Sequence, residues 1–182
     1  MFDLKGKGSL KTVSVKDSSA RFDMEGTGTK VPTGWITPDY GFLALDLNKN
    51  GKIDDGKELF GDVTLLANGQ KAKNGYEALA QFDTEKKGYL DESSPIFSKL
   101  KMWIDLNSDG TSTPDELSSL SQHGITKISV RYTRRANRLW EDAAGNVVKY
   151  DSKFFGPSHC GTEGCRTFDV FFETAPVSAS KK

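Results

Sequence analysis

The chain has 182 residues, 25 basic and 25 acidic, for a formal net charge of zero. That length sets one domain, or one with a small appendage, and 36% hydrophobic residues are enough for a packed core. Zero net charge argues against nucleic-acid or membrane-surface binding driven by bulk charge, and no stretch approaches the ~18 apolar residues of a membrane span.

Residues 9–45 predict short strands. Leu10, Val13 and Val15 are apolar, and Phe42-Leu43-Ala44-Leu45 reads as a buried strand. Trp35, in a turn-rich setting between Gly34 and Pro38, reads as a core anchor. A six-residue phrase follows, Asp46-Leu47-Asn48-Lys49-Asn50-Gly51, and it recurs as Asp105-Leu106-Asn107-Ser108-Asp109-Gly110. A calcium ion wants six to eight oxygens. EF-hand loops supply them from alternate side chains, a backbone carbonyl at the seventh residue and a glutamate at the twelfth, with glycine at the sixth for the turn. The second phrase counts out at twelve: Asp105, Asn107, Asp109, Thr111 through its carbonyl, and Glu116. Thr113-Pro114-Asp115-Glu116 reads as a helix start that delivers the glutamate. The first loop offers Asp46, Asn48, Asn50, Lys52 through its carbonyl, and Glu58, which comes one residue late. Lys49, Lys52 and Lys57 crowd that loop and weaken it for a cation. The Asp105 loop is therefore the expected tighter site.

Three weaker relatives begin at Asp3, Asp23 and Asp83. Lys5 and Lys7 stand at the inner positions of the first, and Lys87 at the fifth position of the last. Lysine only donates hydrogen bonds and cannot ligate calcium, so the Asp3 and Asp83 loops are expected to be metal-free turns. The Asp23 turn keeps its oxygens but lacks a closing carboxylate.

Periodicity predicts helices near 75–82, 95–103 and 114–122. Tyr76, Leu79 and Phe82 share one face of the first, and Ile96, Leu100 and Trp103 one face of the second. After Gly124 the spacing becomes strand-like at Ile128, Val130 and Tyr132, then at 147–150 and 168–172. Arg131, Arg134, Arg135 and Arg138 form a basic cluster; contact with an anionic partner and a solvated strand end are the readings, and the solvated strand end is preferred. Cys160 and Cys165 flank a glycine loop. A short disulfide, two free thiols and a Cys-His metal site are the readings. The disulfide is preferred, since a metal site would need a fourth ligand and His123 is the only other histidine.

The expected fold class is α+β: EF-hand-like calcium loops with short helices in the middle and β-strands at both ends. One module spans 1–176, with a β-rich start (1–45), loops and helices (46–124) and a β-rich end (125–176). A polar tail follows at 177–182. Calcium is the expected cofactor.

The ordered series Gly34-Trp35-Ile36, Gly41-Phe42-Leu43-Ala44-Leu45-Asp46, Glu58-Leu59-Phe60-Gly61-Asp62, Gly75-Tyr76-Glu77-Ala78-Leu79, Trp103-Ile104-Asp105 and Glu116-Leu117 resembles one family. It is the calcium-dependent self-processing module of secreted bacterial repeat-in-toxin proteins, with related surface proteins. The match covers about residues 1–133. The resemblance implies loops that fold on meeting external calcium. In processing members it also implies cleavage of an Asp-Pro bond ahead of the module, through an anhydride that water or a lysine opens. This sequence contains no Asp-Pro dipeptide, and by the match of Asp3 to the first loop aspartate such a bond would fall before Met1.

Two readings result. One is a calcium-stabilised structural or interaction module of a secreted or surface bacterial protein, without a visible signal peptide in Met1 to Lys11 and partnered by another protein or the rest of a larger chain. The other is a calcium-triggered autoproteolytic module lacking its scissile bond. A hydrolase with an ordinary substrate ranks third, for want of a nucleophile motif.

Overall fold

The computed structural model describes residues 1–134, 140–141 and 144–176, with backbone alone at 140–141. Arg135, Arg138 and the tail at 177–182 lie outside the described residues. The strands are β1 (Phe2–Asp3), β2 (Thr12–Val13), β3 (Arg21–Phe22), β4 (Val31–Pro32), β5 (Trp35–Ile36), β6 (Tyr40–Ala44), β7 (Tyr89–Asp91), β8 (Lys101–Trp103), β9 (Leu117–Ser119), β10 (Lys127–Ser129), β11 (Thr133–Arg134), β12 (Trp140–Glu141), β13 (Val147–Phe155) and β14 (Cys165–Phe171). One antiparallel sheet runs β7-β10-β13-β14-β1-β6-β8-β9, with β11 and β12 paired to β13. Two small ladders, β2-β5 and β3-β4, stand apart from it. The first strand lies between β14 and β6, so the two ends of the chain meet inside the sheet.

Strand alternation makes two cores. Leu43 of β6 opposes Met102 of β8, and Phe42 opposes Trp103. Successive side chains point to opposite faces, so these pairs part company. Leu43 and Met102 pack with Leu79, Leu90, Leu100, Ile128 and Phe154. Phe42 and Trp103 pack with Phe22, Trp35, Ile36, Ile53 and Val148. Trp35 anchors this second core, its ring 5.0 Å from Phe42, 5.4 Å from Phe22 and 5.6 Å from Trp103.

The structure overturns the α+β expectation: the protein is mostly β. The one α-helix among the described residues, α1 (Gly75–Ala80), has six residues, and its Asn74 cap accepts the Glu77 N–H. The expected helix at 95–103 is a 3-10 turn at Phe97–Lys99 followed by β8. The expected helix at 114–122 is a 3-10 turn at Pro114–Glu116, then β9, then a second turn at Ser121–His123. Ile96, Leu100 and Trp103 do fit helical spacing, but the stretch between turns is too short to nucleate a stable helix. Residues 101–103 instead pair with β6 on one side and β9 on the other. That satisfies the backbone groups and buries both Met102 and Trp103, one on each face. The Asp46 and Asp105 loops thus have no EF-hand helices around them.

Candidate metal centre

β6 runs into the Asp46 loop and β8 into the Asp105 loop. The two loops repeat one hydrogen-bond plan. Asp46 accepts the N–H of Asn50 (3.2 Å) and Gly51 (2.9 Å), and Asp105 those of Asp109 (3.3 Å) and Gly110 (2.8 Å). The third residue accepts from the fifth: Asn50 N on Asn48 Oδ1 at 3.0 Å, Asp109 N on Asn107 Oδ1 at 3.1 Å. The fifth accepts from the seventh, Lys52 N on Asn50 Oδ1 at 2.8 Å and Thr111 N on Asp109 Oδ1 at 2.7 Å. Lys49 and Ser108, at the fourth position, have φ of 60° and 57°. Gly110, at φ 75°, admits no Cβ, which would lie 2.9 Å from the Arg21 carbonyl oxygen.

The closing glutamates occupy equivalent places despite the extra residue in the first loop. Each ends a 3-10 turn, Gly56–Glu58 or Pro114–Glu116, and each is buried. Each caps the N–H of the second loop residue, Leu47 on Glu58 Oε1 at 3.0 Å and Leu106 on Glu116 Oε1 at 2.9 Å. Their other oxygens accept Asp54 N at 2.8 Å and Thr113 N at 3.0 Å. The loops touch through Ser112, whose hydroxyl accepts the Ile53 N–H at 2.7 Å and donates to the Ile53 carbonyl.

Asp105 is fully buried and receives the Trp35 indole N–H at 2.7 Å. Burial pushes its carboxyl above the ordinary carboxylate range. The N–H groups of Gly110 and Trp35 pull it back, and the like charge of Glu116 pushes it further up. Two buried acids of one sign, with side-chain oxygens also at the third and fifth positions, are a donor set that fits a hard divalent cation.

Three residues of this site escape the sequence reading. Asp54 is the ninth residue of its loop, a known ligand position, and its carboxylate accepts the side-chain amides of Asn48 (3.1 Å) and Asn50 (2.6 Å). Those two bonds hold its carboxyl below the usual range against the opposing effect of burial. Its position in the loop could have found it. Trp35 and Ser112 act through long-range contacts that no local pattern signals. Of the crowding lysines, Lys57 turns away to the Gly26 carbonyl in the Asp23 turn.

The weaker relatives adopt the same turn. Asp3, Asp23 and Asp83 each accept the N–H of the sixth residue, at 2.6 Å in all three. Elsewhere, Cys160 and Cys165 form a disulfide, with a Cα–Cα distance of 4.8 Å. His159 lies against them, but both sulfurs are spent on that bond. Ser118 Oγ lies 2.6 Å from His123 Nε2 and also donates to the Met102 carbonyl, so the hydroxyl braces β9 to β8 and the following turn. Arg131 and Arg134 are exposed at the end of the strand region. No helix among the described residues is long and apolar enough to cross a membrane.

Residues 1–172 match the SPM domain family. The chain belongs to the SPM domain family. It is 44% identical over 131 residues to the iron-regulated protein FrpA of Neisseria meningitidis serogroup C. That stretch is 71% of this chain and 12% of FrpA, so the chain spans only a small part of this curated relative's length.

Proposed function

We propose that this SPM domain is a calcium-binding module of a secreted or surface bacterial protein, with two calcium ions held by the Asp46 and Asp105 loops. Asp46, Asn48, Asn50, Asp54, Glu58 and the Lys52 carbonyl form the first ligand set. Asp105, Asn107, Asp109, Glu116 and the Thr111 carbonyl form the second. The observation that carries the reading is the shared plan of the two loops: each gathers its oxygens on one turn and closes with a buried glutamate on the same N–H. The Trp35–Asp105 bond and Ile53 tie both loops to the aromatic core, so cation binding stabilises that face of the sheet. Export fits the disulfide, which persists in oxidising compartments. The resemblance to calcium-dependent self-processing modules supports the same reading. Autoproteolysis itself has no Asp-Pro bond to act on within these residues. Calcium titration by calorimetry, with Glu58→Gln and Glu116→Gln each removing one equivalent, tests the assignment.

A further inference from the structure

The Asp83 loop has the backbone of the two candidate calcium loops. Lys86, its fourth residue, has φ 55° and Gly88, its sixth, φ 84°. Asp83 accepts the N–H of Lys87 at 2.9 Å and of Gly88 at 2.6 Å. Its oxygens at the third and ninth positions are Glu85 and Asp91. In the Asp46 loop the third, fifth and ninth side chains converge, because Asn48 and Asn50 both reach Asp54. The same three positions converge in the Asp83 loop, but the fifth is Lys87. Its ammonium lies 3.2 Å from Asp91, 3.3 Å from Glu85 and 2.6 Å from the Ser93 hydroxyl.

We propose that the Asp83 loop is a cation site that carries its own cation, the Lys87 ammonium, in the place a divalent ion takes in the sister loops. An ammonium presents three N–H donors and one positive charge. Three oxygens surround it here, two of them carboxylate. The loop therefore closes without calcium. It leads directly into β7, whose Leu90 packs in the core on the face opposite Trp35 and Ile53. Calcium dependence is thereby confined to one face of the sheet, while the β7–β10 edge holds in the absence of the ion. The comparison with the Asp46 loop rests on the calcium reading above; the ammonium contacts do not.

Thermal unfolding of the full chain, in calcium and in chelator, tests this. Lys87→Met keeps the stem and removes the charge. It should lower the midpoint by about 2–4 °C, equally in both conditions, whereas Lys87→Arg, which keeps the charge, should fall less. An unchanged midpoint for Lys87→Met overturns the proposal. Lys87→Asn combined with Ser94→Glu supplies the missing oxygen at the fifth position and the closing glutamate at the twelfth, and should take up one more equivalent of calcium than wild type by calorimetry. If wild type takes up two and the double variant no more, the ammonium does not hold a cation position. If wild type takes up none, the calcium reading fails, and Lys87→Met alone decides the ammonium clamp.

Discussion

Replacing Glu116 with glutamine separates the structural work of this side chain from the metal binding proposed for it. The carboxylate is 6% exposed and accepts Leu106 N at 2.9 Å, Thr113 N at 3.0 Å and Thr113 Oγ1 at 3.0 Å. Glutamine keeps one acceptor oxygen and turns an NH2 group toward donors on the other side. The loss of charge-assisted bonds there costs about 1–3 kcal/mol without any metal. On the calcium reading proposed above, the variant also loses the bidentate ligand of its loop. An ion present at a hundredfold excess over its dissociation constant stabilises the native state by about 2.7 kcal/mol, which for a chain of this size is about 5–10 °C in Tm. Wild type should therefore melt higher in calcium than in chelator by at least that amount, and Glu116→Gln should lose the larger part of the gain. Differential scanning calorimetry in both conditions reads the two effects separately. An equal calcium-induced gain in wild type and variant would refute the ligand role, whatever the drop in chelator.

Ser112→Ala should cost about 1–3 kcal/mol, because it orphans the buried Ile53 N–H; it should also weaken calcium uptake at both loops together, as titration would show. Trp35→Phe keeps the ring packing but removes the indole bond to Asp105, so it should reduce calcium affinity at the Asp105 loop more than at the Asp46 loop. Asp169, buried against α1 and bonded to Gly75 N at 3.1 Å, has its carboxyl pushed up to about 6 by burial. Folding favours its protonated form, so its contribution to stability is full below the ordinary value of 3.8 and is lost as pH rises through about 6. Asp169→Asn should flatten that part of the stability–pH curve measured by denaturant unfolding; an unchanged slope rejects the assignment. Removing the Cys160–Cys165 disulfide by double alanine replacement should cost about 2 kcal/mol, since the loop it closes is short.

The local chemistry of the loops was legible in the sequence because it is local. The spacing of the loop carboxylates and amides, the positive-φ glycines and the two buried glutamates all fall within about a dozen residues, and Glu58 and Glu116 accept the equivalent N–H despite the one extra residue in the first loop. The strand character of Phe42 to Ala44 and of Ile128 was equally plain, since buried runs and alternation are local signals. The elements around the loops were not legible. Leu100 to Trp103 fit a helix by spacing, and only their pairing with β6 and β9, residues far away in sequence, makes them a strand. The Trp35–Asp105 bond spans 70 residues, and no pattern within either segment announces it. Lysine at the fifth position of the Asp83 loop excludes a metal ligand there, but the contacts its ammonium makes with Glu85, Asp91 and Ser93 emerge only in three dimensions.

Calcium titration of the metal-stripped protein by isothermal calorimetry tests the central claim most directly, with the stoichiometry as the readout. Two equivalents are expected for wild type, one for Glu116→Gln and one for Glu58→Gln, with the tighter phase lost in Glu116→Gln. No calcium uptake by wild type, or two equivalents retained after both glutamates are replaced together, would contradict it.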